Sequence, residues 1–223
     1  MTATGRALRE TTQLRLLRAA FRILLRLAFR LRVIGADLIP AEGPVLLAGN
    51  HTGFLDGPFV FIESPRPAAF LVKSELYTNR WLGRLLSSFR QIPVHRGRPD
   101  RTALRSGLAV LAAGGVLGVF PEGTRGTGML ESVQHGIGYL ALKSACPIVP
   151  VVCLGTADAL PRGHRLPRLR VPIDIVFGTP FRVEPTGDPR ARSTVAAAAE
   201  QIRRQLLDHL DRSLPLTGRT PPR

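Results

Sequence analysis

Two titratable side chains stand five residues apart in GPVLLAGNHTGFLDGP, residues 43–58: His51, just past an apolar run, and Asp56, where the next element begins. A turn through Gly53 can bring the carboxylate back onto one ring nitrogen. The imidazole is then held in one tautomer, with its other nitrogen left to take a proton. Such a pair is a general base that needs a hydroxyl. The chain has no Gly-x-Ser-x-Gly elbow, and neither Cys146 nor Cys153 sits in a strand-end turn beside a basic neighbour. The expected nucleophile is therefore the substrate's own hydroxyl, with direct transfer and no covalent enzyme intermediate. A five-residue spacing also arises by chance, so the pair alone leaves a satisfied structural histidine open.

A second polar cluster ends another apolar run. In GVFPEGTRG, residues 118–126, the candidates are Glu122, Gly123, Thr124 and Arg125. Glycine lets backbone approach a ligand closely, backbone N–H groups and a threonine hydroxyl bind oxygen anions, and an arginine presents a planar fork to phosphate. The alternative is a strand-to-loop turn in which Glu122 and Arg125 pair with each other. A third run, IPVHRGRPDR, ends in His95, Arg96 and Arg98. It reads either as part of the same anion site or as a solvated basic turn.

Three such ends require strands to carry them. Strand-like runs lie at 44–49, 68–73, 91–95, 115–120, 148–154 and 171–177, separated by helical stretches at 57–63, 74–89, 100–113, 132–145 and 190–212. That alternation predicts an α/β fold with a mixed, mostly parallel sheet flanked by helices, and in such sheets chemistry gathers at the carboxyl ends of the strands. Residues 155–170 read as a basic loop. Residues 13–34 place Arg15, Arg18, Arg22, Arg26 and Arg30 three or four apart, on one face of a helix whose other positions are mostly Leu, Ala and Phe. This pattern predicts a basic amphipathic helix in a membrane interface, its arginines among anionic head groups and its leucines and phenylalanines in the acyl boundary. A helix packed on its own domain with a solvated basic face is the alternative. The expected organisation is an amphipathic helix over 1–34, one catalytic domain over 35–212 and a disordered tail over 213–223.

Composition narrows the partners. The net charge of +15 comes from 31 basic against 16 acidic residues, and only Lys73 and Lys143 are lysine. Arginine in that excess suits phosphate and carboxylate, although the bias can also reflect genome composition. Aromatic residues make up 6% and are mostly Phe in apolar runs, so the stacking platforms of nucleic-acid binders are not expected. Cys146 and Cys153, in SACPIVPVVCL, match neither a redox pair nor a zinc clamp and read as buried small residues in a reducing compartment. No metal or cofactor is expected. Neither a membrane-spanning run nor a secretory signal is read from the sequence.

Taken together, NHTGFLDG, IPVHRG and FPEGTRG resemble the first three motifs of the glycerolipid acyltransferases related to bacterial 1-acylglycerol-3-phosphate acyltransferases. CPIVPVV resembles the fourth motif, and KSEL at 73–76 the family's usual stretch between the first two. The resemblance spans residues 33–183. It implies acyl transfer from acyl-CoA or acyl carrier protein, as donor substrates, to a lysophospholipid hydroxyl, most simply 1-acylglycerol-3-phosphate giving phosphatidic acid. It also implies His51 as base, Asp56 as its orienting partner, and Arg96, Glu122, Gly123 and Arg125 around the acceptor phosphate, with Thr124 in the same turn. Membrane phospholipids are implied as the surface on which such an enzyme works, peripherally and on the cytoplasmic face. Two departures bear on the head group: His135 stands where many relatives carry lysine, and His95 where an acidic residue often precedes the arginine. A different lysophospholipid head group, an ester or thioester hydrolase and a non-enzymatic basic membrane protein are the competing readings.

Overall fold

The computed structural model describes residues 12–95, 100–189 and 191–221. Seven strands form one sheet: β1 (Arg30–Ile34), β2 (Val45–Gly49), β3 (Ala68–Lys73), β4 (Ile92–Val94), β5 (Val116–Val119), β6 (Ile148–Leu154) and β7 (Pro172–Phe177). Their order is β1-β7-β6-β2-β5-β3-β4. Every neighbouring pair is parallel except β6 with β7, so β7 and β1 run against the other five. The helices are α1 (Thr12–Ala28), α2 (Asp56–Glu63), α3 (Arg80–Ser88), α4 (Arg101–Ala112), α5 (Gly136–Ser144), α6 (Thr156–Ala159) and α7 (Arg192–Thr217).

The central strands are apolar along their whole length because both sheet faces are covered. Every residue of β2 and β6 is buried. Alternation then divides their side chains between two cores. Leu46, Ala48, Leu117 and Ile148 pack with α4, α5 and α7, whereas Val45, Leu47, Phe70 and Val149 pack on the opposite face with α2 and the inner side of α1.

All six expected strands are present. A seventh, β1, lies inside the segment expected to continue the N-terminal helix. That helix stops at Ala28 because Arg30–Ile34 finds a partner in β7, Leu31 and Val33 packing into the second core. The basic loop expected at 155–170 begins with the short α6. At the other end α7 runs to Thr217, five residues into the stretch expected as a tail, and stops at Gly218 in the left-handed region. Arg219 beyond it reaches Asp174 of β7 at 2.8 Å, and Arg32 of β1 reaches the same carboxylate at 2.6 Å.

Part of the arginine stripe of α1 faces inward: Arg18 and Arg22 turn toward α2, whereas Arg15 and Arg26 stay exposed. Arg18 is 4% exposed and donates to the carbonyls of Phe61 and Ser64, while Arg22 donates to that of Ile62. Arg26 reaches the buried Glu63 carboxylate at 3.1 Å, and the Arg18 guanidinium lies 5.4 Å from the centre of the Phe61 ring. These acceptors are the last turn of α2, where unsatisfied carbonyls and the negative end of the helix dipole favour cations. The outward face carries an apolar row, Leu16, Ile23, Leu24 and Leu27, each more than half exposed, flanked by the exposed Arg15 and Arg26.

Replacing Arg18 by leucine should leave buried carbonyls without their donor and cost about 2 kcal/mol or more. Leu27→Ser, on the outward face, should change stability by no more than about 0.5 kcal/mol. Urea unfolding of both variants checks the orientation of α1, and the reverse order of effects would contradict it.

Candidate active site

The carboxyl ends of β2, β5 and β6 bring together segments 50–56, 120–126 and 155–156. Asn50 continues the β2–β6 pairing where the strand ends. Its side-chain oxygen accepts from the Cys153 N–H at 2.8 Å, and its amide nitrogen donates to the Cys153 carbonyl at 3.1 Å. The backbone can then leave the sheet without orphaning a buried pair of polar groups.

His51 follows, 8% exposed, and Asp56, fully buried, opens α2. Asp56 Oδ2 lies 2.8 Å from His51 Nδ1 and also accepts from the backbone N–H groups of Thr52 at 2.8 Å and Gly53 at 2.9 Å. The other carboxylate oxygen, Oδ1, accepts from the hydroxyl of Thr156 at the start of α6. An acceptor on Nδ1 places the ring proton there and leaves Nε2 with its lone pair. The predicted pair is therefore assembled as a base held by its carboxylate. The turn requires glycine at 53, since a Cβ there would lie 2.8 Å from the carbonyl carbon of Thr156 and 2.9 Å from the nitrogen of Ala157.

Aromatic rings back the imidazole. His51 stacks on Phe120 with centroids 4.5 Å apart and planes 15° apart, and Phe120 stacks in turn on Phe70 at 5.6 Å. Gly118 makes room for this column, because a Cβ there would fall 2.2 Å from the Phe70 ring.

Glu122 turns toward the backbone of the first motif. Its Oε1 accepts from the His51 N–H at 2.8 Å, and the His51 carbonyl accepts from the Gly126 N–H at 3.0 Å. This reciprocal strap fixes the loop after β5 to the turn after β2. Burial raises the Glu122 carboxyl above its ordinary value, opposed by the His51 N–H bond. Gly123 adopts a positive φ of 73°, the left-handed region that favours glycine. Thr124 and Arg125 are exposed beside it, the Arg125 guanidinium 5.9 Å from the centre of the Phe54 ring and its carbonyl accepting from Arg162. Arg125 is thus an exposed cation on the loop strapped to His51, and Glu122 bonds to the backbone that the strap holds.

Arg96 and Arg98 lie outside the described residues. His95 and Asp100 repeat the spacing of five, with Nδ1 and Oδ2 3.1 Å apart, but the His95 side chain is 63% exposed. Asp100 caps α4, accepting from Thr102 and Ala103, and the N–H groups of His95 and Ala103 lower its carboxyl to about 2. His135 is exposed and precedes α5, where it lines an open cavity of about 260 Å³ with Glu131, Ser132, Glu200 and Arg203, apart from His51. Both thiols are buried and pushed above their ordinary value by burial, Cys153 furthest, with the neighbouring Asp56 charge adding to it. Neither is a poised nucleophile. Among the described residues no group of three His, Cys, Asp or Glu side chains is placed to hold a metal. Sequence reasoning missed Asn50, Thr52 and Thr156. Asn50 at a strand end beside His51 offered a signal; Thr156, a hundred residues from Asp56, offered none.

The chain belongs to the acyltransferase family, whose model, described as Acyltransferase, matches residues 30–154. It is an enzyme of that family. Among its relatives, the 1-acyl-sn-glycerol-3-phosphate acyltransferase of Bacillus subtilis is 23% identical over 188 residues, covering 84% of this chain and 92% of that one. The enzyme of the same name from Borreliella burgdorferi is 33% identical over 147 residues, 63% of this chain and 58% of that one. The chain spans only 39% of the chloroplastic relative from Arabidopsis thaliana, 26% identical to it over 60% of its own length. A crystal structure of the 1-acyl-sn-glycerophosphate acyltransferase PlsC from Thermotoga maritima shares the fold, with a TM-score of 0.64 and 22% identity over 88% of this chain and 79% of that one.

The strap carries a pH signature. With its folded value raised, the Glu122 carboxyl contributes stability that is fully present below its ordinary value near 4.5 and lost as pH rises through the folded value. Glu122→Gln keeps an acceptor for His51 N–H and stays neutral. Its stability relative to the parent should therefore rise with pH above 4.5 and then level off. Denaturation measured across pH checks this, and parallel curves would contradict it.

Proposed function

We propose that this enzyme transfers a fatty acyl group from acyl-CoA or acyl carrier protein to the free hydroxyl of a lysophospholipid, most simply 1-acylglycerol-3-phosphate, giving phosphatidic acid. The observation that carries the reading is the His51–Asp56 contact of 2.8 Å in a buried turn backed by Phe120. The names of the Bacillus and Borreliella relatives support the acceptor.

Nε2 of His51 removes the proton of the acceptor hydroxyl as its oxygen attacks the thioester carbonyl. Asp56, already hydrogen-bonded to Nδ1–H, stabilises the imidazolium that forms. Collapse of the tetrahedral adduct breaks the carbon–sulfur bond, and the thiolate leaves with the proton His51 carried. Arg125, with Arg96, holds the acceptor phosphate so that the hydroxyl stays within reach of Nε2. Gly123 and Thr124 supply the close backbone and a hydroxyl beside that phosphate, while Glu122 serves it by fixing the loop. The arginine-rich charge suits both acidic donors.

The membrane surface is reached through α1, peripherally and on the cytoplasmic face, where soluble acyl donors are present. Among the described residues no helix is long and apolar enough to cross a membrane. The exposed Leu16, Ile23, Leu24 and Leu27 form an apolar face fit for the acyl boundary, with the arginines that hold α2 on the inner side. Lipid contact is thus assigned to the leucine face, the apolar arc that the sequence pattern also put in the acyl boundary, while Arg18 and Arg22, expected among head groups, turn toward α2 instead.

Purified protein given oleoyl-CoA or oleoyl acyl carrier protein and a panel of lysophospholipids in detergent should yield the diacyl product by mass spectrometry. His51→Ala and Asp56→Asn should lower turnover on the order of a thousandfold. Full activity in His51→Ala would overturn the assignment, and free fatty acid as the product would point to a hydrolase. Leu24→Ser with Leu27→Ser should weaken flotation with anionic vesicles about a hundredfold, since about 3 kcal/mol of apolar burial is lost. Unchanged flotation would move the contact away from α1.

A further inference from the structure

We infer that Thr156 is a positioning residue for acyl transfer: its hydroxyl sets the orientation of the Asp56 carboxylate and, through it, of His51. The inference rests on the general-base role of His51 proposed above.

Asp56 has no exposed surface, so water does not satisfy its oxygens and the protein must supply the donors. Three of them converge on Oδ2: His51 Nδ1–H, Thr52 N–H and Gly53 N–H. All three belong to the turn that Asp56 itself closes. Such contacts leave the carboxylate able to swing with the turn. Oδ1 is held from elsewhere in the fold, by the Thr156 hydroxyl at the end of β6. Because a carboxylate only accepts, Thr156 is the donor in that bond. Its oxygen is then the acceptor for the Thr52 hydroxyl 3.0 Å away. The result is a directed chain, Thr52 O–H to Thr156 O–H to Asp56 Oδ1, in which each hydroxyl has one orientation.

Backbone packing fixes Thr156 in turn. Gly155 before it has a φ of 83°, and a Cβ there would lie 2.3 Å from the Pro172 carbonyl, so the chain enters α6 pressed against the start of β7. On the other side Gly53 accommodates the Thr156 carbonyl and hydroxyl at distances no side chain would permit. Thr156 itself is fully buried, with no access to substrate. It therefore acts through Asp56 and touches no reacting atom.

The test compares Thr156→Val, which replaces the hydroxyl by a methyl of similar size, with Thr156→Ser, which keeps the hydroxyl, in the full chain. His51→Ala is measured beside them with oleoyl-CoA and 1-oleoyl-glycerol-3-phosphate. The expected result is a fall in kcat of about tenfold or more for Thr156→Val, with KM for both substrates within about twofold of the parent. Thr156→Ser should recover most of that loss, and both variants should keep the parent's circular dichroism. A kcat within about twofold of the parent in Thr156→Val, while His51→Ala is inactive, would overturn the inference and leave the proposed reaction standing. Equal losses in the valine and serine variants would overturn it as well, because the hydroxyl would then not be the group that matters. Turnover by His51→Ala at the parent's rate would instead remove the reaction on which the inference rests.

Discussion

A carboxylate with no exposed surface must be surrounded by donors, and the carboxyl edge of this sheet is organised around that need. Asp56 collects two backbone N–H groups from its own turn, the ring N–H of His51 and the hydroxyl of Thr156. Meeting those contacts at once fixes the path of the chain after β2, the seat of α2 and the approach of the chain after β6. Gly53 follows from that approach, because its neighbour is the backbone of Thr156. Asn50 follows from the same constraint, holding the two strand ends in register where their own pairing stops.

A second set of contacts reaches the same histidine from another strand. Glu122 and Gly126 grip the backbone of His51 from the β5 side, and Phe120 lies flat against its ring. The imidazole is thereby fixed in plane by Asp56, in height by Phe120 and along the chain by Glu122. In the proposed reaction, a base held in one pose before the substrate arrives lowers a barrier without new chemistry. The loop that carries Arg125 is tied to the His51 backbone by the same contacts.

Local pattern made the alternation of strands and helices legible, since each central strand is buried on both faces and reads as an apolar run. The His51–Asp56 pair was legible because both residues lie on one short turn. The same spacing at His95–Asp100 yields an exposed helix cap, so spacing alone did not separate the two; burial did. What depends on distant partners was hidden. The seating of Arg18 and Arg22 of α1 was hidden because their acceptors, the carbonyls at the end of α2, have no signature in composition. β1 read as helix because its partner β7 lies some 140 residues away, the separation of Arg32 from Asp174 being 142. Glu122 read as a ligand contact, and only the fold shows its oxygen facing a backbone N–H.

That long separation has a consequence for how the chain is made. The arginines of α1 meet α2 some 40 residues downstream, so the first helix can be seated early in synthesis. β1 pairs only with β7, and the Asp174 carboxylate that draws Arg32 also draws Arg219, almost the last residue described. The outer edge of the sheet therefore forms only after residues 172–177 of β7 have been made. Until then β1 is an unpaired strand waiting for a long-range partner, the kind of pairing that is slow to form and open to association with other chains.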